Sequence, residues 1–200
     1  MNDLVRDAYM ERALEYAEAL GSMAAVHPGD RHLVSTWARG VTGPVIDAGC
    51  GPGHWTHFLA ESGADVQGID LVPKFIEHAQ HRFPGVPFRV GSLHALDVAD
   101  HSLGGLLAWY SLIHHRPDAV QVLLAEFARV LRPGGGLLLG FFEGPTVEAF
   151  EHAVVTAYRW PVGELSNDLR TAGFEVIETH TRTGSEHRPH GAIVARRIGH

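Results

Sequence analysis

Val45-Ile46-Asp47-Ala48-Gly49-Cys50-Gly51-Pro52-Gly53 decides how this chain is read. Apolar residues run up to a carboxylate and pass at once into a Gly-x-Gly-x-Gly turn. Glycine lacks a Cβ, so such a turn adopts backbone angles closed to other residues and lets a ligand lie directly against main chain. The stretch predicts a strand that ends in a cradle for a nucleotide-like molecule. A dinucleotide site would use Gly-x-Gly-x-x-Gly, with the last glycine letting a helix N-terminus approach a pyrophosphate. Here His54 stands in that place. Asp47, two residues before the first glycine, would repel a pyrophosphate but suits a ligand that carries an amine or a sulfonium.

A second landmark is Val66-Gln67-Gly68-Ile69-Asp70, another short apolar strand ending on an acid. Asp70 lies about twenty residues past the first glycine, where a carboxylate can accept both hydroxyls of a ribose. Further pieces follow in order: Gly91-Ser92-Leu93, then Gly105-Leu106-Leu107-Ala108-Trp109-Tyr110-Ser111-Leu112-Ile113-His114, then Val130-Leu131-Arg132-Pro133-Gly134-Gly135-Gly136-Leu137.

Together these segments, from about residue 43 to 142, resemble the ordered motifs of the class I S-adenosylmethionine-dependent methyltransferases. The resemblance implies an α/β fold: a three-layer, Rossmann-like, seven-stranded sheet of order 3-2-1-4-5-7-6 with strand 7 antiparallel. It also implies S-adenosylmethionine as cofactor and S-adenosylhomocysteine as product. On that basis Gly49, Cys50, Gly51 and Gly53 face the methionine moiety and Asp70 holds the ribose. Leu71, Val72 and Leu93 pack on adenine, with Ser92 near its amino edge. Many family members carry an acid where this chain has Ser92. Tyr9 and Tyr16 lie two turns apart on the N-terminal helix, where a similar Tyr-containing segment closes over the cofactor in related enzymes; Tyr16 is the better candidate of the two, and plain packing is the alternative.

Composition agrees with one globular domain. Two hundred residues, 45% hydrophobic, with 23 glycines, suffice for a three-layer core. The expected division is an N-terminal helical lid over 1–42 and a Rossmann-like core over 43–200. A formal charge of −7 and the lack of a basic run argue against nucleic acid as partner. The fifteen histidines would shrink that charge in acid. One cysteine, Cys50, forms no internal disulfide, and no apolar leader or membrane-length run occurs, so the cytoplasm is the expected compartment. Cys50 reads as a small residue fitted to the turn rather than a reactive thiol. No histidine spacing predicts a metal site, and neither monomer nor homodimer is favoured.

Periodicity predicts helices at about 4–20, 29–39, 53–62, 73–82, 117–130, 146–153 and 161–172. Strands are expected at about 44–48, 65–69, 87–91, 104–109, 136–142, 174–181 and 191–198, the last two as an antiparallel hairpin. In open parallel sheets ligands sit at the carboxyl ends of strands near the switch in strand order. That rule gathers Asp47 to Gly53, Asp70 to Val72, Ser92-Leu93 and Trp109 to His115 around one crevice. Asp47 can instead order the turn through local hydrogen bonds.

Methyl transfer from a sulfonium asks mainly for positioning. Where the acceptor must lose a proton, His114 is the candidate general base, the alternative being a loop histidine bonded to backbone. The acceptor pocket is expected among the N-terminal segment, 143–163 and the turn 181–190, with Tyr110 and His115 as further substrate-binding candidates. Arg182 and Arg188 in that turn would clamp an anionic small molecule, or simply form a solvated polar turn. Two other function classes stay open: a non-catalytic cofactor-binding partner protein and a nicotinamide oxidoreductase.

Overall fold

The computed structural model describes residues 6–10, 21–152, 154–184 and 188–199. Residues 6–10 are helical; Tyr16 lies outside the described residues. Helix α1 (Pro28–Gly40) opens with proline in its first turn, and its cap is the His27 side chain, which accepts from Gly29 N at 3.0 Å. Then come β1 (Val45–Ala48), α2 (His54–Glu61), β2 (Val66–Asp70), α3 (Pro73–Arg82) and β3 (Phe88–Val90). The second half holds β4 (Leu103–Trp109), α4 (Pro117–Val130), β5 (Leu131–Glu143), β6 (Glu148–Phe150), β7 (Ala157–Trp160), α5 (Val162–Thr171), β8 (Phe174–Arg182) and β9 (His190–Arg197).

Strand β1 is central, parallel to β2 through Val45↔Val66 and to β4 through Ile46↔Leu106. β3 extends the sheet beyond β2, and β5 lies parallel to β4. β9 runs antiparallel to β5, and β8 antiparallel to β9, so β8 is parallel to the first five strands. The seven main strands thus follow β3-β2-β1-β4-β5-β9-β8, the order 3-2-1-4-5-7-6 with an antiparallel seventh strand.

Side chains alternate across the sheet with a period of two. Ile46, Leu106, Leu137 and Leu139 pack with Leu123, Leu124 and Phe127 of α4. Their neighbours Val45, Leu107 and Leu138 pack on the opposite face with Trp37 of α1 and Trp55 and Leu59 of α2. Each such side chain taken fully out of water contributes about 1.5–3 kcal/mol.

One expected element is different. Residues 146–153 were read as a helix, yet 148–150 and 157–160 form a strand pair, β6 against β7. β4 leaves the sheet after Trp109, whose partner is Gly140, and β7 takes the vacated edge of β5 through Phe142↔Arg159. An open edge with unmet hydrogen bonds outweighs the weak helical spacing of Val147 and Phe150. β5 also begins earlier than expected, at Leu131, with a register shift opposite Leu103/Gly105.

Candidate functional site

All three turn glycines take positive φ: Gly49 at 79°, Gly51 at 51° and Gly53 at 87°. Gly49 N and Cys50 N both donate to Ile69 O, at 2.8 and 3.0 Å, which ties the turn to the end of β2. A Cβ at Gly49 would lie 2.4 Å from Ser111 Cβ, whereas a Cβ at Gly51 would meet nothing within 4 Å. The turn is therefore closed behind and open in front.

Asp70 fastens the front. Its carboxylate accepts from Gly51 N at 2.8 Å and Val72 N at 2.9 Å. Burial pushes its pKa up to about 6, against the pull of these amides. A buried carboxylate of this kind gains from extra hydroxyl donors or a nearby cation. Asp47 is buried more deeply, accepts from Thr56 Oγ1 at 2.7 Å, and is pushed up to about 7 by burial, with Asp70's charge adding to the rise. Two acids at adjacent strand ends make the turn a place that favours positive charge. The Cys50 thiol is buried and held well above its ordinary pKa, so it is an uncharged packing group.

Two cavities meet at this turn. One, of about 130 Å³, is lined by Asp70, Leu71, Val72, Ser92 and Leu93 among others. The second, of about 420 Å³, is walled by Asp47, Cys50, His54, Trp55, Phe142 and Arg182 among others. Gly49, Gly51, Trp109 and Tyr110 border both. Trp109 fits there because its partner strand offers glycine: a Cβ at Gly140 would come 2.8 Å from the indole. The indole also meets Trp55 edge-on at 5.6 Å. Tyr110 follows with a φ of 59°, uncommon without glycine, and its N donates to Gly140 O at 2.9 Å.

His114 has both ring nitrogens engaged. Nδ1 lies 3.0 Å from Thr156 O and Nε2 lies 2.7 Å from the Tyr9 hydroxyl. A carbonyl only accepts, so Nδ1 carries the proton and Nε2 accepts from Tyr9. Burial lowers the His114 pKa, opposed by the Thr156 bond. His114 thus seats Tyr9 on the first cavity. His115 lies on that same side, its ring 5.1 Å from His94, with its pKa lowered to about 4 by burial and then by His94.

Of the two arginines of the final turn, Arg182 lines the second cavity and Arg188 does not. Arg182 forms a two-pronged ion pair with Asp30 of α1, one contact being Nη2 to Oδ2 at 3.0 Å. Arg188 lies over the Phe150 ring at 4.6 Å, as does Arg159 at 4.7 Å, and does not line either cavity. Ser111 lines the first cavity, within the stretch Trp109 to His115 expected there, and Tyr9 and His152 lie in segments expected to frame the site. Sequence reading did not single out His27, Asp30 or Phe142, which line the second cavity; Asp30 becomes visible only once β8 is placed beside α1.

A family model described as "Methyltransferase domain" matches residues 45–135. A probable S-adenosylmethionine-dependent methyltransferase of Mycolicibacterium smegmatis is 32% identical over 138 residues, 68% of this chain and 53% of that protein. The magnesium-protoporphyrin O-methyltransferase of Rhodobacter capsulatus is 43% identical over 88 residues, 42% of this chain and 39% of the relative. The chain spans about half the length of the first two curated relatives it matches, 53% and 46%. In fold, it is similar to the Burkholderia thailandensis 1,6-didemethyltoxoflavin-N1-methyltransferase, with a TM-score of 0.79 at 23% identity over 98% of this chain and 88% of that one. Strand order, the acid-flanked glycine turn and these likenesses agree: the chain belongs to the class I S-adenosylmethionine-dependent methyltransferase family.

Proposed function

We propose that this chain transfers a methyl group from S-adenosylmethionine to a small-molecule acceptor. The observation that carries the reading is the meeting of two cavities at Gly49, Gly51, Trp109 and Tyr110, one suited to a nucleoside and the other to an acceptor. Bound at the turn, the cofactor supplies an electrophilic methyl group on a sulfonium. Asp70 takes the ribose hydroxyls, and Leu71, Val72 and Leu93 flank the adenine with Ser92 at its edge. Gly49, Cys50, Gly51 and Gly53 give main chain for the methionine end, while Asp47 beneath them favours its cationic groups. Trp109 and Tyr110 keep water from the join, and Tyr9, seated by His114, closes the nucleoside side. Holding the two reactants in register provides the acceleration, and no proton shuttle through His114 is required, because its lone pair is already taken.

A small acceptor is supported by relatives named as a magnesium-protoporphyrin O-methyltransferase and a ubiquinone biosynthesis O-methyltransferase. An anionic acceptor is less well supported, since Arg182 is neutralised by Asp30. No helix among the described residues is long and apolar enough to cross a membrane, and the cytoplasm is the compartment we propose.

Calorimetric titration with S-adenosylhomocysteine and with a nicotinamide dinucleotide tests the donor. Binding of the nicotinamide in preference would overturn the assignment. Transfer of labelled methyl into a metabolite extract separates an enzyme from a cofactor-binding partner protein; cofactor binding without any transfer would favour the latter.

A further inference from the structure

At the end of the sheet opposite the glycine turn, a cavity of about 280 Å³ opens between the last turns of α1 and strands β5, β9 and β8. Gly104 on its wall lies roughly 17 Å from Trp109 along β4, at about 3.3 Å per residue. None of the residues assigned to methyl transfer lines it. Its size is near the lower end of small-molecule sites, about 300 Å³.

Trp37 borders this cavity because two facing glycines make room for its ring. Gly105 of β4 and Gly136 of β5 are paired across the sheet. A Cβ at Gly105 would lie 3.3 Å from Trp37 Cζ2, and one at Gly136 would lie 3.0 Å from Trp37 Nε1. The indole therefore spans both strands with its N–H leading from β4 towards β9, where Gly136 pairs with Arg196. Trp37, Gly136 and Arg196 all line the cavity. Trp37 is 7% exposed, and its Nε1 is buried without a hydrogen-bond partner among the described residues. An indole nitrogen only donates and has no second tautomer, so its role does not change with pH. A buried N–H without an acceptor opposes folding, and this one calls for an acceptor that the chain does not provide.

Two guanidinium groups border the same space. Arg132 is held at the rim by Nη2, which donates to Thr42 O at 3.0 Å. Val194, two residues before Arg196 on β9, packs with the Trp37 cluster, so Arg196 stands on the α1 side of the sheet. Both groups stay cationic across the working pH range. Glu178 borders the cavity from β8, with its Oε2 3.1 Å from His180 Nε2 and with β9 between it and Arg132. The donors therefore gather at the Trp37 end. Leu33, Val41, Ile177 and Val194 supply apolar wall.

We propose that this cavity binds a small organic carboxylate. Its oxygens accept from the Trp37 N–H and from the guanidinium groups of Arg132 and Arg196, while its apolar body lies along Leu33, Val41 and Val194. A carboxylate matches the planar forks of the arginines and has lone pairs to spare for the indole. An inorganic anion would meet the donors but leave the apolar wall unused.

The site stands apart from the methyl-transfer reading, and the free protein suffices to test it. Nitrogen-15 spectra of the tryptophan-labelled chain hold one indole signal for each of its four tryptophans. That of Trp37 is assigned through the Val41 methyl groups, which crowd the same face of Gly136. Isovalerate should move the Trp37 indole proton downfield and saturably, with the signals of Trp55, Trp109 and Trp160 unmoved. Isovaleramide, which has the same shape without the charge, should bind at least about tenfold more weakly. Substituting Arg132→Gln together with Arg196→Gln, both exposed positions, should weaken isovalerate binding at least about tenfold. The other three indole signals should keep their wild-type positions in that variant, which shows it to be folded. No saturable shift at Trp37, equal affinity for the amide, an equal response to inorganic phosphate, or undiminished binding by the double variant would each overturn the proposal.

Discussion

Asp47 is buried beneath the glycine turn with one hydroxyl donor, and burial raises its pKa from 3.8 to about 7. The unfolded chain ionises this acid near its ordinary value while the folded chain resists. Its contribution to stability is therefore fully present below about pH 4 and is lost as the pH rises towards 7. Across the full shift the loss is on the order of 4 kcal/mol, from about 1.4 kcal/mol per pKa unit. Asp47→Asn keeps an acceptor for Thr56 and removes the charge. We expect its unfolding midpoint to exceed that of the wild type at pH 8, by a margin that shrinks as the pH falls to 4. A margin independent of pH would mean that Asp47 is ionised without strain in the empty site. The same substitution should weaken binding of S-adenosylmethionine more than it stabilises the fold, since it removes the charge that the sulfonium and ammonium would meet.

Between β4 and β5 the pairing Trp109↔Gly140 sets the position of the indole that borders both cavities. Gly140→Ala would place a methyl group 2.8 Å from Trp109. The ring must move, at a cost of about 1–3 kcal/mol for overpacking. Urea unfolding should register that loss, and S-adenosylhomocysteine affinity should fall with it; unchanged values in both would show that the ring relocates freely. The strands of this sheet and helix α4 were legible because long runs carry their period in the residues themselves: Val120, Leu123, Leu124 and Phe127 are all buried on one face. The β6/β7 pair was not legible. Three or four residues carry no reliable period, and what makes 148–150 a strand is the edge of β5 left open where β4 ends. Local motifs likewise announced Asp47, the glycines and Asp70, which lie close in sequence or at fixed strand ends. Asp30, 160 positions before His190, carried no such signal, because only the placement of β8 and β9 beside α1 joins them.

At the scale of the whole molecule, the sheet, its two helical layers and the N-terminal residues converge on one turn, so a ligand there couples to the stability of the entire fold. A ligand that binds only the native state adds about 2.7 kcal/mol at a hundredfold excess over its Kd. For a chain of this length, each kcal/mol moves the melting midpoint by about 2–4 °C. S-adenosylhomocysteine at that excess should therefore raise the midpoint by about 5–11 °C on those same scales. Asp70→Ala removes both the ribose acceptor and the bonds from Gly51 N and Val72 N that fasten the turn. Its own midpoint should change through those lost bonds, while at the same ligand concentration the ligand-induced shift should largely vanish. A folded Asp70→Ala protein that keeps the wild-type shift would show that the ligand is held without this carboxylate, and the nucleoside cavity would then have to be placed elsewhere on the sheet.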